Sequence, residues 1–445
     1  MKRISSISLS PIVALLVTLL MAGCANFRKL GSDLKLIEST YVASAQVRNA
    51  GDFPNVYGLI IEWEDGGSGN VRSADFSQVG KVGVFGFLVE RNLNQYIMAF
   101  SDENGSKRYD QGEAAWIHLG GTGRPAPIEF DIDGGRKARV FGELSRSVTL
   151  PTDMVAAAKA FKGARTAEKA ATGMDIPVAL GDIANLDNPR FAAVRGEEGL
   201  WQPAAFPLEL GIGIYFLEEY DPKRIPVLFV YGAAGSPQDW RTFFSKLDHS
   251  RYQAWFYFYP TGARLDKAGG TLNRGVQLLQ AHYGFNRLHV VAHSMDGLVS
   301  RSFLIKNVLE GGTRYIDKFV TISTPWNGHA AAEIGVKMAP QVVPSWYDMQ
   351  TNSDFQKQIF SKKLKGTVDH LLLFGHRNPK SRKPAPHETD GTVSVASMTS
   401  AAAKRDAVDF VDYHSDHVGI LSRDDVIAKV HGFLAGTPST SAIAR

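Results

Sequence analysis

The stretch that most constrains this chain is a short apolar strand running through one serine into an apolar helix, Leu288-His289-Val290-Val291-Ala292-His293-Ser294-Met295-Asp296-Gly297-Leu298-Val299. A serine forced onto a sharp strand-to-helix turn lifts its hydroxyl above the sheet edge, beside a helix N-terminus, where it can attack a carbonyl. The segment reads as a nucleophile elbow centred on Ser294. Such a turn is tight, and the positions two before and two after the serine usually carry glycine. Here they are Ala292 and Asp296. Alanine is a mild departure. Asp296 adds a carboxylate to the first helical turn, where it suits the helix dipole but brings negative charge toward a developing oxyanion. With 43 glycines among 445 residues the five-residue pattern is weak by itself, so its context has to support it.

The length and a hydrophobic content of 44% predict more than one globular part. The first residues belong to neither. Lys2 and Arg3 precede an apolar run from Ile12 to Leu20, and Met21-Ala22-Gly23-Cys24 then supplies small residues before a cysteine, the layout of a cleaved export signal too short to span a bilayer. This segment resembles a bacterial lipoprotein signal, which implies that Cys24 becomes the acylated first residue of the mature chain, carrying palmitate or similar chains. An ordinary secretory signal with an incidental cysteine is the alternative. Cys24 is the only cysteine, so no intramolecular disulfide and no cysteine zinc site is expected. Acyl chains on Cys24 imply a membrane partner. Ala25 rather than aspartate after the cysteine resembles the sorting signal for the outer membrane. A net charge of +4 is small for this length, and no basic run carries interleaved aromatics, so nucleic acid is not an expected partner.

The chain divides into a signal (1–23), a polar tether (24–40), a small all-β sandwich (41–145), a helical and irregular connector (146–207), an α/β unit (208–436) and a tail (437–445). In the all-β part, Val56 to Trp63, Lys81 to Val89 and Gln95 to Phe100 are the clearest strands, separated by glycine-rich turns. The run Tyr96 to Gly105 resembles transthyretin-like or carboxypeptidase-regulatory-like β-sandwich modules. Asp102, Asn104, Ser106, Asp110 and Glu113 fall on the first, third, fifth, ninth and twelfth positions of a calcium-loop spacing. The sixth position, which wants glycine, is Lys107, and a polar turn whose side chains bond their own backbone is the preferred reading.

From Thr152 to Thr172 an alanine-rich stretch predicts a helix, followed by irregular chain to Pro207. Strands and helices then alternate. Ile212 to Leu217, Ile225 to Val230, Gln253 to Tyr259, the elbow strand, Lys318 to Ser323 and Leu371 to Phe374 read as strands. Helices are predicted after Ser236-Pro237, near Leu272 to Gln280, after the elbow, and over Asp424 to Leu434 with Ser422 as its cap. This order calls for a mostly parallel sheet with helices on both faces.

A serine hydroxyl needs a base to take its proton and an acid to orient that base. Both follow Ser294. Asp390 lies in Glu388-Thr389-Asp390-Gly391-Thr392-Val393, where glycine lets the loop present a carboxylate at the sheet edge, although Asp-Gly is also an ordinary turn pair. His417 lies in the loop just ahead of the last helix, and His414 is its rival. His293 reads as a packing or hydrogen-bonding residue. One oxyanion donor should be the N–H of Met295, and the other the N–H of Ala233 in Tyr231-Gly232-Ala233-Ala234-Gly235, unless that loop is a plain βα turn. No histidine set shows metal-ligand spacing, and neither a metal nor a cofactor is expected.

Pro226 to Trp240, Leu288 to Arg301, Ser323 to Gly328, Asp390 to Val393 and His417 to Leu421 together resemble a lipase/esterase of the α/β-hydrolase family, over about half the chain from Ile212 onward. The resemblance implies an α/β-hydrolase fold and a Ser294, Asp390, His417 triad cleaving carboxylic esters through an acyl-enzyme. It implies an acyl-ester substrate, with lipids among the candidates. Tyr231 stands where that family usually has histidine, and it and Asp296 would lie near the oxyanion pocket. The segment Ala330 to Lys365 reads either as a cap over the site or as a structural helical insertion. Two other functions fit the same residues: an inactive hydrolase-fold lipoprotein serving as an envelope scaffold, and an amidase or acyltransferase.

Overall fold

The computed structural model describes residues 25–36, 38, 40–63, 71–89, 94–130, 136–151, 174–377 and 386–436. The expected signal sequence with Cys24, the helix expected over Thr152 to Thr172 and the expected tail lie outside the described residues.

The first eight strands are β1 (Tyr41–Val47), β2 (Val56–Trp63), β3 (Val71–Gln78), β4 (Val84–Val89), β5 (Gln95–Ser101), β6 (Ala115–Ile117), β7 (Lys137–Gly142) and β8 (Met174–Ile176). They make two four-stranded sheets, of order β7-β1-β4-β8 and β3-β2-β5-β6. Period-two alternation turns Ala43, Ala45, Phe85 and Phe87 of one sheet toward Val56, Ile60, Ile97 and Ala99 of the other, in one shared apolar layer. The sheets come close enough that a Cβ on Gly58 would lie 2.2 Å from the Phe85 ring. The opposite face of β2 and β5 carries a second apolar cluster with Leu59, Ile61, Tyr96 and Met98, which is why these strands read as unbroken apolar runs.

The second unit is an eight-stranded sheet of order β16-β15-β14-β13-β11-β12-β10-β9. Its strands are β9 (Val178–Ile183), β10 (Ile212–Phe216), β11 (Ile225–Val230), β12 (Tyr252–Phe258), β13 (Leu288–His293), β14 (Ile316–Ile322), β15 (Asp369–His376) and β16 (Asp409–His414). Every pairing is parallel except β10 with β12. The helices are α1 (25–36), α2 (Ala193–Trp201), α3 (Ala205–Leu210), α4 (Arg241–Lys246), α5 (Leu265–Tyr283), α6 (Asp296–Leu304), α7 (Ala330–Met338), α8 (Pro344–Met349), α9 (Asp354–Phe360), α10 (Val395–Met398), α11 (Ala401–Asp406) and α12 (Asp424–Leu434). One continuous core runs through the sheet, with Val227 to Val230 and Leu288 to Ala292 almost wholly enclosed.

Several local expectations are corrected. The connector before Pro207, expected as irregular, contains β8, β9, α2 and part of α3, with Pro177 alone separating the strand that completes the first β sheet from the one that edges the large sheet. In α2 the glycines hide the helix in the sequence, yet Gly196 and Gly199 are the buried face. The segment expected as a polar tether is helical over α1 and docked, with Leu30 and Asp33 buried. Helix α5 starts at Leu265, well before Leu272, because Gly269 and Gly275 lower its propensity while allowing close packing on Ser302, Leu180 and Ile214. Helix α12 has the expected bounds, but Arg423 occupies the N-cap and Ser422 ends a preceding 3-10 turn.

Candidate active site

The sheet's C-terminal edge gathers the residues that sequence reasoning proposed. At the end of β13, Ser294 holds φ 56°, a left-handed conformation costly for a non-glycine residue, and its amide is pinned to Ile322 O at 2.8 Å. The glycine the turn needs for close approach comes one residue late. A Cβ on Gly297 would lie 2.1 Å from Thr324 Oγ1, whereas Asp296 finds room beneath the site.

Asp390 lies beyond β15 in a loop that Gly391 bends at φ 99°. Its Oδ1 accepts the N–H groups of Thr392 at 2.9 Å and Val393 at 2.8 Å, which fixes the carboxylate plane. The Nδ1–H of His417 donates to Asp390 Oδ2 at 2.6 Å, and the Ser294 hydroxyl donates to His417 Nε2 at 2.9 Å, the tautomer being the one this network requires. The three side chains, 123 residues apart in sequence between Ser294 and His417, thus form one hydrogen-bonded relay. Burial pushes the Asp390 carboxyl up, but its bonds from His417, Val393 and Thr392 and the His417 charge outweigh that and hold it below its ordinary value. His414, the rival base, sits on β16 with Nε2 3.2 Å from Arg377 O.

His293, directly before the serine, has a structural task. Its Nε2–H donates to the His417 carbonyl at 2.8 Å, tying the base-bearing loop to the elbow. Burial, with the nearby His417 charge, lowers its pKa to about 3, so this ring stays neutral. Sequence reasoning missed His329. Its Nε2–H donates to Thr392 O at 2.9 Å, linking the start of α7 to the acid loop. The available signal was its place at the end of Thr324-Pro325-Trp326-Asn327-Gly328-His329, directly after β14.

The N–H groups expected as oxyanion donors belong to Met295, next to Ser294, and to Ala233, in a loop packed on the serine. Gly232 packs so closely that a Cβ there would lie 2.9 Å from Ser294 Cβ, which brings the loop bearing Ala233 onto the serine. Among the described residues, neither the Ala233 nor the Met295 N–H donates a hydrogen bond, whereas the Ala234 N–H is taken by Thr261 Oγ1 at 3.1 Å. The concern over Tyr231 and Asp296 is corrected. The Tyr231 hydroxyl donates to Tyr259 O and accepts from Tyr259 N, both at 3.0 Å, so it ties β11 to β12 rather than facing the pocket. Asp296 is fully enclosed and accepts from the Tyr259 hydroxyl. Burial raises its carboxyl well above the ordinary range, which favours the uncharged acid over the carboxylate.

In the calcium-like turn after β5 the oxygens have other partners. Asp102 Oδ1 and Oδ2 accept from Ser106 N and Lys107 N, each at 2.9 Å, and the two Glu113 oxygens accept from Glu103 N and Asp110 N. This is a polar turn, with Lys107 at φ 55°. No group of three or more His, Cys, Asp or Glu side chains among the described residues is arranged to hold a metal.

Residues 221–374 match the PGAP1-like alpha/beta domain, a span that includes the elbow and five of the eight strands, β11 to β15 in part. The fold is that of an α/β-hydrolase. No curated protein matches the chain. Among solved structures it is similar to the mature lipase BlEst2 of Bacillus licheniformis, with 19% identity, a TM-score of 0.39, and coverage of 50% of this chain and 95% of that one. It is also similar to lipase B of Aspergillus fumigatus, with 16% identity, a TM-score of 0.38, and coverage of 50% and 55%. The phospholipase PlaB of Legionella pneumophila shares 14% identity over 39% of this chain and 44% of its own, with a TM-score of 0.33.

Proposed function

We propose that this protein is a serine hydrolase of carboxylic esters. The observation that carries the reading is the unbroken relay from Asp390 through His417 to a serine hydroxyl held on a left-handed turn. In this mechanism His417 Nε2 takes the Ser294 proton as Oγ bonds to the ester carbonyl carbon. The carbonyl oxygen becomes an oxyanion facing the N–H groups of Met295 and Ala233, each worth about 2.7–4 kcal/mol in such sites. As the C–O bond breaks, His417 returns the proton to the departing alcohol, leaving an acyl-serine. Water, deprotonated by the same ring, attacks that ester and releases the acid. Asp390 stabilises the imidazolium and keeps Nδ1–H pointed at itself.

In the same reading Cys24 is acylated and tethers the enzyme in the bacterial envelope, at the outer membrane. Its substrates are then acyl esters, lipids included, met at that surface. A fluorophosphonate probe tests the chemistry: stoichiometric labelling, absent in Ser294→Ala, is the expected result. A folded protein that takes no label is a scaffold instead. Product analysis with an alcohol or amine competing against water distinguishes an ester hydrolase from an acyltransferase. Labelled palmitate should enter the wild-type protein and not Cys24→Ala.

A further inference from the structure

Helices α1 and α7 belong to one packed layer beside the candidate site. Phe27 of α1 meets the Trp201 ring edge-on at 5.2 Å, Trp201 meets Trp346 at 5.8 Å, and Trp346 covers Gly335 of α7 so closely that a Cβ there would lie 2.5 Å from its ring. Asp33 of α1 caps α3 by accepting the N–H groups of Ala204 and Ala205 at 2.8 and 2.7 Å. The layer reaches the site at two places. Gly196 of α2 lies against the carbonyls of Ala234 and Gly235, in the loop bearing Ala233, and α7 begins at His329, which bonds the acid loop.

The outer side of this layer is unusual for a water-facing surface. Helix α7, Ala-Ala-Ala-Glu-Ile-Gly-Val-Lys-Met, is mostly apolar, yet Ala332 is its one buried residue. Ile334 and Met338, one turn apart on the same face, are 59% and 79% exposed. Val418, directly after His417, is 58% exposed. On α1 the exposed charged residues are Arg28, Lys29 and Lys35, with Asp33 buried and one exposed acid, Glu38, just past its described end, and the Glu333 and Lys337 side chains on α7 neutralise each other at 2.7 Å. A packed layer that exposes apolar side chains on one helix and mainly basic ones on another suits a surface that is anionic outside and apolar beneath.

We propose that the α1–α7 face rests on an anionic lipid surface, with Ile334 and Met338 entering the acyl layer and Arg28, Lys29 and Lys35 meeting the headgroups. Cys24 precedes the described part of α1 in sequence, so acylation there would add a lipid anchor to the chain next to this helix. The inference shares the envelope setting proposed above but needs neither acylation nor turnover, and it is tested without them.

The test uses the chain from Ala25 onward, which keeps every contact described above and lacks Cys24, carrying Ser294→Ala so that lipid is not consumed. Co-sedimentation with phosphatidylglycerol/phosphatidylcholine vesicles is expected, falling with salt and with phosphatidylcholine alone. It should weaken by roughly tenfold or more in R28E/K29E/K35E and by about tenfold in I334D/M338D. All five positions are surface sites, so circular-dichroism melting should be unchanged and separates lost binding from misfolding. A polarity-sensitive fluorophore on Met338→Cys, then the sole cysteine, should shift to the blue with anionic vesicles. Absence of binding, binding that both variants retain, or no shift at position 338 overturns the proposal. Vesicle-free self-association abolished by I334D/M338D also overturns it, by making a second copy the occupant.

Discussion

Two aspartates, one in each unit, open turns of similar construction: Asp102 beyond β5 and Asp390 beyond β15. Both are buried and both accept backbone N–H groups from residues just downstream. They differ in one oxygen. Asp102 has its two oxygens occupied by Ser106 N and Lys107 N, whereas Asp390 satisfies both local amides with Oδ1 and keeps Oδ2 for His417. A carboxylate whose oxygens are all engaged by its own turn is structural. One with an oxygen directed at an imidazole can orient a base.

Exchanging each aspartate for asparagine separates the two roles most sharply. Asp390→Asn should lower kcat for a short soluble ester by about 10^4-fold, since an amide no longer enforces the Nδ1–H tautomer. Asp102→Asn should leave kcat unchanged. A comparable loss from both variants would show that the distinction lies elsewhere.

His293 acts on the same relay from behind, through the backbone of the base. Its bond to the His417 carbonyl fixes where the ring sits, and displacements of about 1 Å can cost on the order of 10^2-fold in rate. His293→Phe should therefore reduce kcat by roughly 10^2-fold with little change in KM. The wild-type ring stays neutral when folded, with its pKa lowered to about 3. The unfolded chain gains that proton near its ordinary value of about 6.5. Stability from this group is thus full above that value and declines as pH falls toward 3, by up to about 1.4 kcal/mol per unit. Chemical denaturation between pH 7 and 4 should show a shallower decline in His293→Phe.

Much of this arrangement was legible in the sequence, and for identifiable reasons. The elbow, β11 and the order serine, aspartate, histidine are set by local runs whose chemistry repeats across few residues. The choice of His417 over His414 followed from its place ahead of α12. What escaped depends on partners far along the chain. Nothing near Asp296 announces that Tyr259, just past β12 and one strand beyond β11, will bond it, and nothing near His329 announces the Thr392 carbonyl. Strand β16 was missed because an edge strand with Asp409 and Asp412 has no apolar run, and α2 and α5 were missed or shortened because their glycines serve packing at the cost of propensity. The helical docking of α1 rests on Asp33 finding the N-terminus of α3, 171 residues away.

In the β unit the comparison predicts a stability effect alone. Asp102→Ala removes the acceptor for two amides and should cost about 1–3 kcal/mol, read as a lower denaturation midpoint, with ester turnover intact in the folded fraction. Added calcium or a chelator should shift neither midpoint nor turnover. A calcium-dependent midpoint would mean that a cation can displace those N–H groups.

Asp296 provides the smallest effect and the finest distinction, being a third buried aspartate, within two residues of the nucleophile and yet outside the relay. Its Oδ2 meets no hydrogen-bond partner among the described residues, and burial favours the protonated form. The unfolded chain releases that proton near the ordinary value of about 3.9. Folding therefore takes up a proton above that pH. The group's contribution is full below it and is lost as pH rises toward the raised folded value, at up to about 1.4 kcal/mol per unit. Asn keeps the shape without the proton, so Asp296→Asn should flatten the decline in stability as pH rises above about 4 and gain on wild type there. Its kcat should stay within about threefold, because burial favours the protonated acid, which exerts little field on the oxyanion for the amide to relieve. A large rise in kcat would instead mean that Asp296 is ionised at the working pH and opposes the developing charge.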